Sequence, residues 1–359
     1  MVNKRYIYYL FVVNAFVNSI NFVPRILVNN DGSLIAIIVS AIIGGLIILL
    51  FTKTINKFPG KDLSEILEPV LPKFIRGGLI IFFSLHWYVF GAITLVSLVD
   101  ITHRYITPDV NPYVLIAGFL LLILFACQVE SYSILTVIET VIVINIPLVI
   151  YFLFKVLINQ YFSWDTVREV LTDSIDIPPY TTIAAGTFIF SGYVNLVVFN
   201  RLFEDVKIKR LWLVITGLLF LLLLSFLVPI AYNGIDGVKH HIYPWMTTVD
   251  SIQIKYFIVE RLMFIFYLFY ITVSLSAVIL FWHVGLRMMQ GVFFKKESRE
   301  FKWKNFILLG GFTIGSFFLI HMDQFSFLSF GNWFIRVRFL SEVLLLMVLF
   351  FAVWRVKKA

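Results

Sequence analysis

YTTIAAGTFIFSGYVNLVVFNR, residues 180–201, is long and apolar enough to cross a bilayer, yet it is no plain lipid-facing helix. Gly186 and Gly192 bracket Thr187, Phe188 and Ser191, and Tyr193 and Asn195 follow in the same run. Each glycine bares the backbone and weakens a helix by about 1 kcal/mol. A turn opened at membrane depth survives only where it is buried in protein or lines a wet cavity. Interrupted membrane helices of this kind hold small ligands near the midplane, with half-helix ends aimed at the ligand's charges. The same glycines also suit an intact helix packed closely against a neighbour. The choice falls to the rest of the chain.

The surroundings are those of a polytopic membrane protein. Of 359 residues, 60% are hydrophobic and 14% charged, with a mean hydropathy of +0.93. A soluble domain carries about 25% charged residues. Ten stretches reach the roughly 20 apolar residues of a spanning helix: 6–28, 33–52, 76–99, 111–129, 133–157, 181–201, 210–232, 255–286, 304–322 and 334–354. The expected class is all-α, a single transmembrane domain over 1–359. The first run is far longer than a signal-peptide core and contains Asn14, Asn18 and Asn21, so no cleavable leader is expected. Cys127 is the single cysteine, which rules out a disulfide framework.

The net charge of +8 is an orientation signal. With the N-terminus cytoplasmic, the inner loops hold twenty of the 29 lysines and arginines against six outside. An even number of spans then puts both termini in the cytoplasm. A nucleic-acid partner is not expected; the partner of this surface is the lipid bilayer. Two connections suggest structure of their own. Asp62 and Glu65 have capping-box spacing ahead of Leu63, Ile66, Leu67 and Val70, which implies a short helix along the inner surface. Tyr243-Pro244-Trp245, followed by Met246 to Ile254, reads as an in-plane helix outside. Residues 158–180 read as a loop bearing Asp165, Glu169, Asp173 and Asp176.

Span one carries a second defect: Asn14, Asn18, Ser19 and Asn21, then Pro24-Arg25. Pro24 cannot donate to the helix ladder and crowds the Ile20 carbonyl. Spans one and six are thus both interrupted, five spans apart, as an inverted five-plus-five repeat requires. Repeat one would cover about 6–157, repeat two about 181–354, with 158–180 between them. Asn14, Asn18 and Asn21 share a face of span one; Thr187, Ser191 and Asn195 share a face of span six. Facing each other, they would enclose a small polar chamber. His86, Trp87, Tyr88 and Gly91 on span three are candidate walls, with Tyr267, Tyr270, Thr272 and Ser274 on span eight.

An ionisable group at the bilayer centre costs at least ~2.5–3.5 kcal/mol unless paired. Glu139 in span five is either a proton-coupling carboxylate or the partner of an arginine near the inner surface. Arg338 and Glu342 are four apart on span ten and read as a structural pair. Glu260 and Arg261 would cap the outer end of span eight. No carboxylate is expected beside the broken turns. No phosphate loop, nucleophile motif or histidine cluster points to an enzyme, and no metal or other cofactor is implied; His240-His241 lacks an acidic partner at ligand spacing.

These landmarks resemble the spore germination permease family, the B subunits of germinant receptors, within the amino acid–polyamine–organocation transporter superfamily. The matching residues are Phe22-Val23-Pro24-Arg25, Phe58-Pro59-Gly60-Lys61-Asp62-Leu63, Gly186 to Gly192, Tyr243-Pro244, Asp250-Ser251-Ile252 and Glu260-Arg261-Leu262. The resemblance implies a LeuT-like fold in the spore inner membrane or cell membrane, complexed with an A subunit and a lipoprotein C subunit. It implies a germinant such as an amino acid, bound between spans one, three, six and eight. The candidate ligand residues are Asn18, Ser19, Asn21, His86, Tyr88, Gly186, Thr187, Ser191, Gly192, Tyr193, Tyr270 and Ser274, with Glu139 the coupling candidate. The chain departs from the family pattern in two ways: Asn18, Ser19 and Asn21 stand where small residues are usual, and Met263 stands where an acidic one is common. A proton-coupled amino acid transporter is the other reading of the same pocket.

Overall fold

The computed structural model describes residues 2–172, 176–252, 261–293 and 303–358. Among the described residues every regular element is helical. The first interrupted span is α1 (Arg5–Ile20) and α2 (Phe22–Val28), bent by 51°. Pro24 sits in the first turn of α2, where amide groups have no helical acceptor, so its missing N–H costs that helix nothing. The break falls at Asn21, just after Ile20, whose carbonyl the proline crowds.

Then come α3 (Ser33–Ile55), α4 (Leu63–Leu67), α5 (Lys73–Tyr105), α6 (Pro112–Ala126), α7 (Ser131–Leu157) and α8 (Trp164–Thr172). The other interrupted span begins with α9 (Tyr180–Phe188) and continues through a 3₁₀ turn (Ser191–Asn195), α10 (Leu196–Phe199) and a short turn at Asn200–Leu202. Its halves are bent by 62°. The chain continues with α11 (Leu211–Asn233), α12 (Ile235–Lys239), α13 (Pro244–Asp250), α14 (Leu262–Phe293), α15 (Trp303–His321) and α16 (Gln324–Lys358). Seven of the described helices are long and apolar enough to span a membrane, or up to nine with each bent pair counted once.

The expected fourth span, 111–129, is shorter than the sequence suggested. Asn111 caps the Tyr113 amide with Pro112 in the first turn, and the Gln128 side chain bonds back to the Leu124 carbonyl. The resulting 15-residue helix is about 22 Å long, less than the ~30 Å apolar core. The stretch 158–180 is not all loop, since it contains α8. Glu260, Asp173, Gln253-Ile254 and the first part of the expected span 255–286 lie outside the described residues.

The two breaks meet. α1 packs against the 191–195 turn, and α2 against α9. A β-carbon at Gly192 would fall 2.5 Å from the Phe11 Cα and 2.8 Å from the Leu10 carbonyl oxygen, so this crossing needs glycine. One added at Gly186 would strike the Ser40 side chain on α3. Around this centre α5 packs along α14, α3 on α9 and α11, α6 on α15, and α16 on α9 and α3.

One end of the bundle gathers basic residues. Lys4 pairs with Asp205 at 2.7 Å, and Arg201 with Glu65 at 3.4 Å. The Asn200 side chain donates to the Phe58 and Lys61 carbonyls. The capping box at Asp62 and Glu65 is formed, with bonds of 2.9 and 3.1 Å. α4 lies against α5 and α14, with Leu63, Ile66 and Leu67 buried in protein. At the far end Asp100 accepts from Arg104 at 2.7 Å and from the Tyr243 hydroxyl at 2.9 Å.

Candidate functional site

Side chains of two other helices, Asn14 on α1 and Arg338 on α16, donate to backbone carbonyls around the break after α9. Asn14 Nδ2 donates to the Phe188 carbonyl at 2.9 Å and more weakly to Ile189 at 3.4 Å. Asn18 steadies Asn14 by donating to its carbonyl at 2.9 Å. Trp87 Nε1 donates to Asn195 Oδ1 at 3.0 Å. The Tyr270 hydroxyl donates to Asn21 Oδ1 at 2.7 Å, tying α14 to the first break.

The largest contribution comes from α16. Arg338 donates to the Ala184 carbonyl at 2.5 Å, Ser191 Oγ at 2.6 Å, Glu342 Oε1 at 2.8 Å and Thr187 Oγ1 at 2.9 Å. Its guanidinium also stands 4.4 Å from the Phe188 ring centre. A cation here complements the negative C-terminal end of α9. Glu342 in turn accepts from the Tyr193 hydroxyl at 3.0 Å, and Tyr193 leans on Phe51. Arg338 and Glu342 are 4% and 7% exposed, so the pair is desolvated and the many hydrogen bonds are what make it tolerable.

These groups border a cavity of about 30 Å³ lined by Asn14, His86, Trp87, Ser191, Arg338 and Glu342, and by the rings of Phe83, Phe90, Phe188, Phe281 and Phe334. A second, of about 10 Å³, is lined by Asn18 and Asn21. Phe90, Phe188 and Phe334 border both and form a partition; Phe90 lies 4.4 Å from Phe188 and 4.1 Å from Phe281. Each cavity has room for a water or two at most. Apolar walls with a few convergent polar groups are the usual make-up of a small-molecule site.

The sequence-derived candidates divide. Ser191 and His86 line the larger cavity, Asn18 and Asn21 the smaller, and Thr187, Tyr193 and Tyr270 bond to residues that do. Tyr88 turns away: its ring stacks on Phe312 at 3.6 Å and its hydroxyl donates to the Phe312 carbonyl. Ser19 bonds within its own helix, to the Phe16 carbonyl. Gly186 and Gly192 serve close packing, so the packing reading of these glycines and the broken helix both hold. Ser274 is buried on α14 and borders neither cavity.

Glu139 lies elsewhere. It pairs with Arg5 at 2.8 Å, and Arg5 is nine residues, roughly 13 Å along α1, from Asn14. The expected pair Arg338–Glu342 is formed, at 2.8 Å, but the expectation of no carboxylate beside the broken turns is corrected, because Glu342 borders the cavity there. The signal was available: two ionisable groups inside an apolar span are a functional candidate by default. Arg261 stands 3.8 Å from Asp250 at the bundle's far end. Among the described residues no cluster of metal-ligating side chains occurs.

The family model of the spore germination proteins matches residues 2–326, which contain both broken spans. The chain belongs to the spore germination protein family. Among curated proteins none matches it. In this spore germination protein the α16 wall of the cavity, with Phe334, Arg338 and Glu342, stands beyond the matched residues, and the walls from α1, α5, α14 and the span-six break lie within them.

Proposed function

We propose that the chain is the nutrient-sensing subunit of a spore germination receptor. It binds a small molecule, such as an amino acid, between the two broken spans and signals to an A subunit and a lipoprotein C subunit. The observation that carries this reading is the Arg338 guanidinium, which bonds both sides of the span-six break while lining the cavity. Here the pocket's charges are engaged with each other. A ligand carboxylate competes for Arg338 and a ligand ammonium for Glu342, so binding loosens the bonds that fix the angle between α9 and the 191–195 turn. The small cavity requires the Phe90–Phe188–Phe334 partition to turn as the ligand enters. Ligand binding and a change of shape are then the same event.

The arrangement reads as a LeuT-like inverted repeat of 6–157 and 181–354. The equivalent bends of the two broken spans support it, as does the packing of α3 on α11, α5 on α14 and α6 on α15, pairs related by a five-span offset. The clustering of Lys4, Lys57, Lys61, Arg201 and Arg355 at one end supports cytoplasmic termini, in the spore inner membrane or cell membrane.

Thermal-shift titration of the purified protein with amino acids, sugars and nucleosides tests the reading, with Asn18→Ala, Thr187→Ala and Ser191→Ala as companions. One ligand class should stabilise the wild type, and the germinant dose-response should move in the variants at unchanged partner levels. A dose-response unmoved in all three removes the site. Proton-coupled transport is the second reading, favoured by Glu342, a buried carboxylate on the cavity wall. Amino acid uptake into proteoliposomes that Glu342→Gln leaves unchanged at every pH would dismiss it.

A further inference from the structure

A space far larger than either cavity lies away from the broken spans. A groove of about 780 Å³ opens at the basic end, with Lys57, Lys61 and Arg355 at its rim and Phe58, Ile66 and Val70 in its floor. It runs between the connection that carries α4 and the end of α16. Among the described residues none of the three cations has an acidic partner. Glu65 also lines the groove, but it closes the capping box and pairs with Arg201, and nearby Glu68 pairs with Arg76, so three cations face one engaged carboxylate. A volume of this size is ordinary for a ligand pocket, and its electrostatics favour an anion.

The groove's depth indicates what kind of anion. The apolar run of α16 ends just before Arg355, and Trp354 beside it is 49% exposed. At the start of α5, Phe74 is 92% and Ile75 51% exposed, next to Lys73. Exposed aromatic and apolar side chains next to basic ones mark the level where acyl chains give way to headgroups. Basic pockets at that level suit lipid phosphates. We infer that this groove binds the phosphate headgroup of an anionic phospholipid, with the lipid's first methylenes on Phe58 and Val70.

The test compares wild type with the triple variant Lys57→Gln, Lys61→Gln, Arg355→Gln. A second triple variant, Lys207→Gln, Lys209→Gln, Arg210→Gln, removes the same charge at the same end but away from the groove. Native mass spectrometry counts retained lipid, and thermal unfolding in neutral detergent is followed with added phosphatidylglycerol, phosphatidylcholine or inorganic phosphate. Wild type and the control variant should retain one phosphatidylglycerol that the groove variant loses, with apparent affinity about a hundredfold weaker. Phosphatidylcholine and inorganic phosphate should stabilise neither. Equal retention by both triple variants overturns the proposal, as does equal stabilisation by phosphatidylcholine. If unchanged retention comes with weaker binding of a polyglutamate peptide, the groove belongs to an acidic protein segment and the proposal falls. Should the groove variant fold poorly, Lys61→Gln alone, on an exposed side chain, gives the same comparison with a smaller effect.

Discussion

Arg338 reaches from the middle of α16 to the Ala184 carbonyl, 2.5 Å away, in the last turn of the half-helix that ends at Phe188. The same guanidinium holds Ser191 on the other side of the break. Arg338→Gln leaves Glu342 buried and without its cation, and breaking one partner of a buried pair costs about 3–5 kcal/mol. The double variant Arg338→Gln, Glu342→Gln removes both charges and should lose clearly less. A thermal-unfolding cycle of the two single variants and the double checks this; strict additivity would show that the two charges do not depend on each other.

Gly192 is the point where the two broken spans touch backbone to backbone. Gly192→Ala places a methyl group against Phe11 Cα and the Leu10 carbonyl, neither of which can rotate away. The cost should be about 1–3 kcal/mol or more. Gly217→Ala, in α11 with nothing within 4 Å of the new methyl, should be neutral or stabilising by up to about 1 kcal/mol. Similar unfolding temperatures for the two variants would mean that the crossing is looser than its geometry implies.

Both interruptions were legible because their causes are local: Pro24 without an amide donor, and glycines flanking small polar residues. The family was legible for the same reason, since its landmarks are short runs in a fixed order. The site was only half legible. Periodicity puts Asn14 and Ser191 on the right faces, but it does not say that α16, 147 residues beyond Ser191, brings its ion pair to the break. Tyr88 failed in the opposite way. It stands next to Trp87, which bonds Asn195, but neighbours on a helix point about 100° apart and Tyr88 faces α15 instead.

Glu139 gives a sharp contrast with Glu342. It is engaged by Arg5 near the basic end and borders neither cavity. Glu139→Gln should leave ligand affinity and its pH dependence unchanged and cost less than about 1 kcal/mol in stability. Binding isotherms at pH 5.5 and 7.5 check it; a shift at either pH would return Glu139 to the site.

Acid should loosen the tie between the N-terminus and the connection after span six. The Lys4 ammonium, and then the Lys207 amide, hold the Asp205 carboxyl below its ordinary value of 3.8. A depressed pKa adds stability that is present above that ordinary value and is lost as pH falls through the folded one. Both side chains are substantially exposed, so the contribution is below about 1 kcal/mol. Amide hydrogen exchange of the 203–208 connection, taken relative to the intrinsic rate at each pH, should therefore lose protection below pH 4 in wild type, while Asp205→Asn has the lower protection already at pH 6. Equal rates at pH 6 would show that the pair holds nothing in place.

Phe90 tests whether the aromatic partition limits access to the pocket. Its ring contacts Phe188 and Phe281 and borders both cavities. Removing it joins the two spaces at the usual core cost of about 3–5 kcal/mol. Phe90→Leu is the milder change, keeping the site apolar while shortening the barrier. If the rings must turn before a ligand enters, association and dissociation should quicken together, because one barrier governs both directions while Arg338 and Ser191, which would set the affinity, are untouched. Stopped-flow fluorescence of Trp87, on the same cavity wall, reads both rates. An unchanged association rate in Phe90→Leu would move the gate away from these rings and leave the ligand another way in.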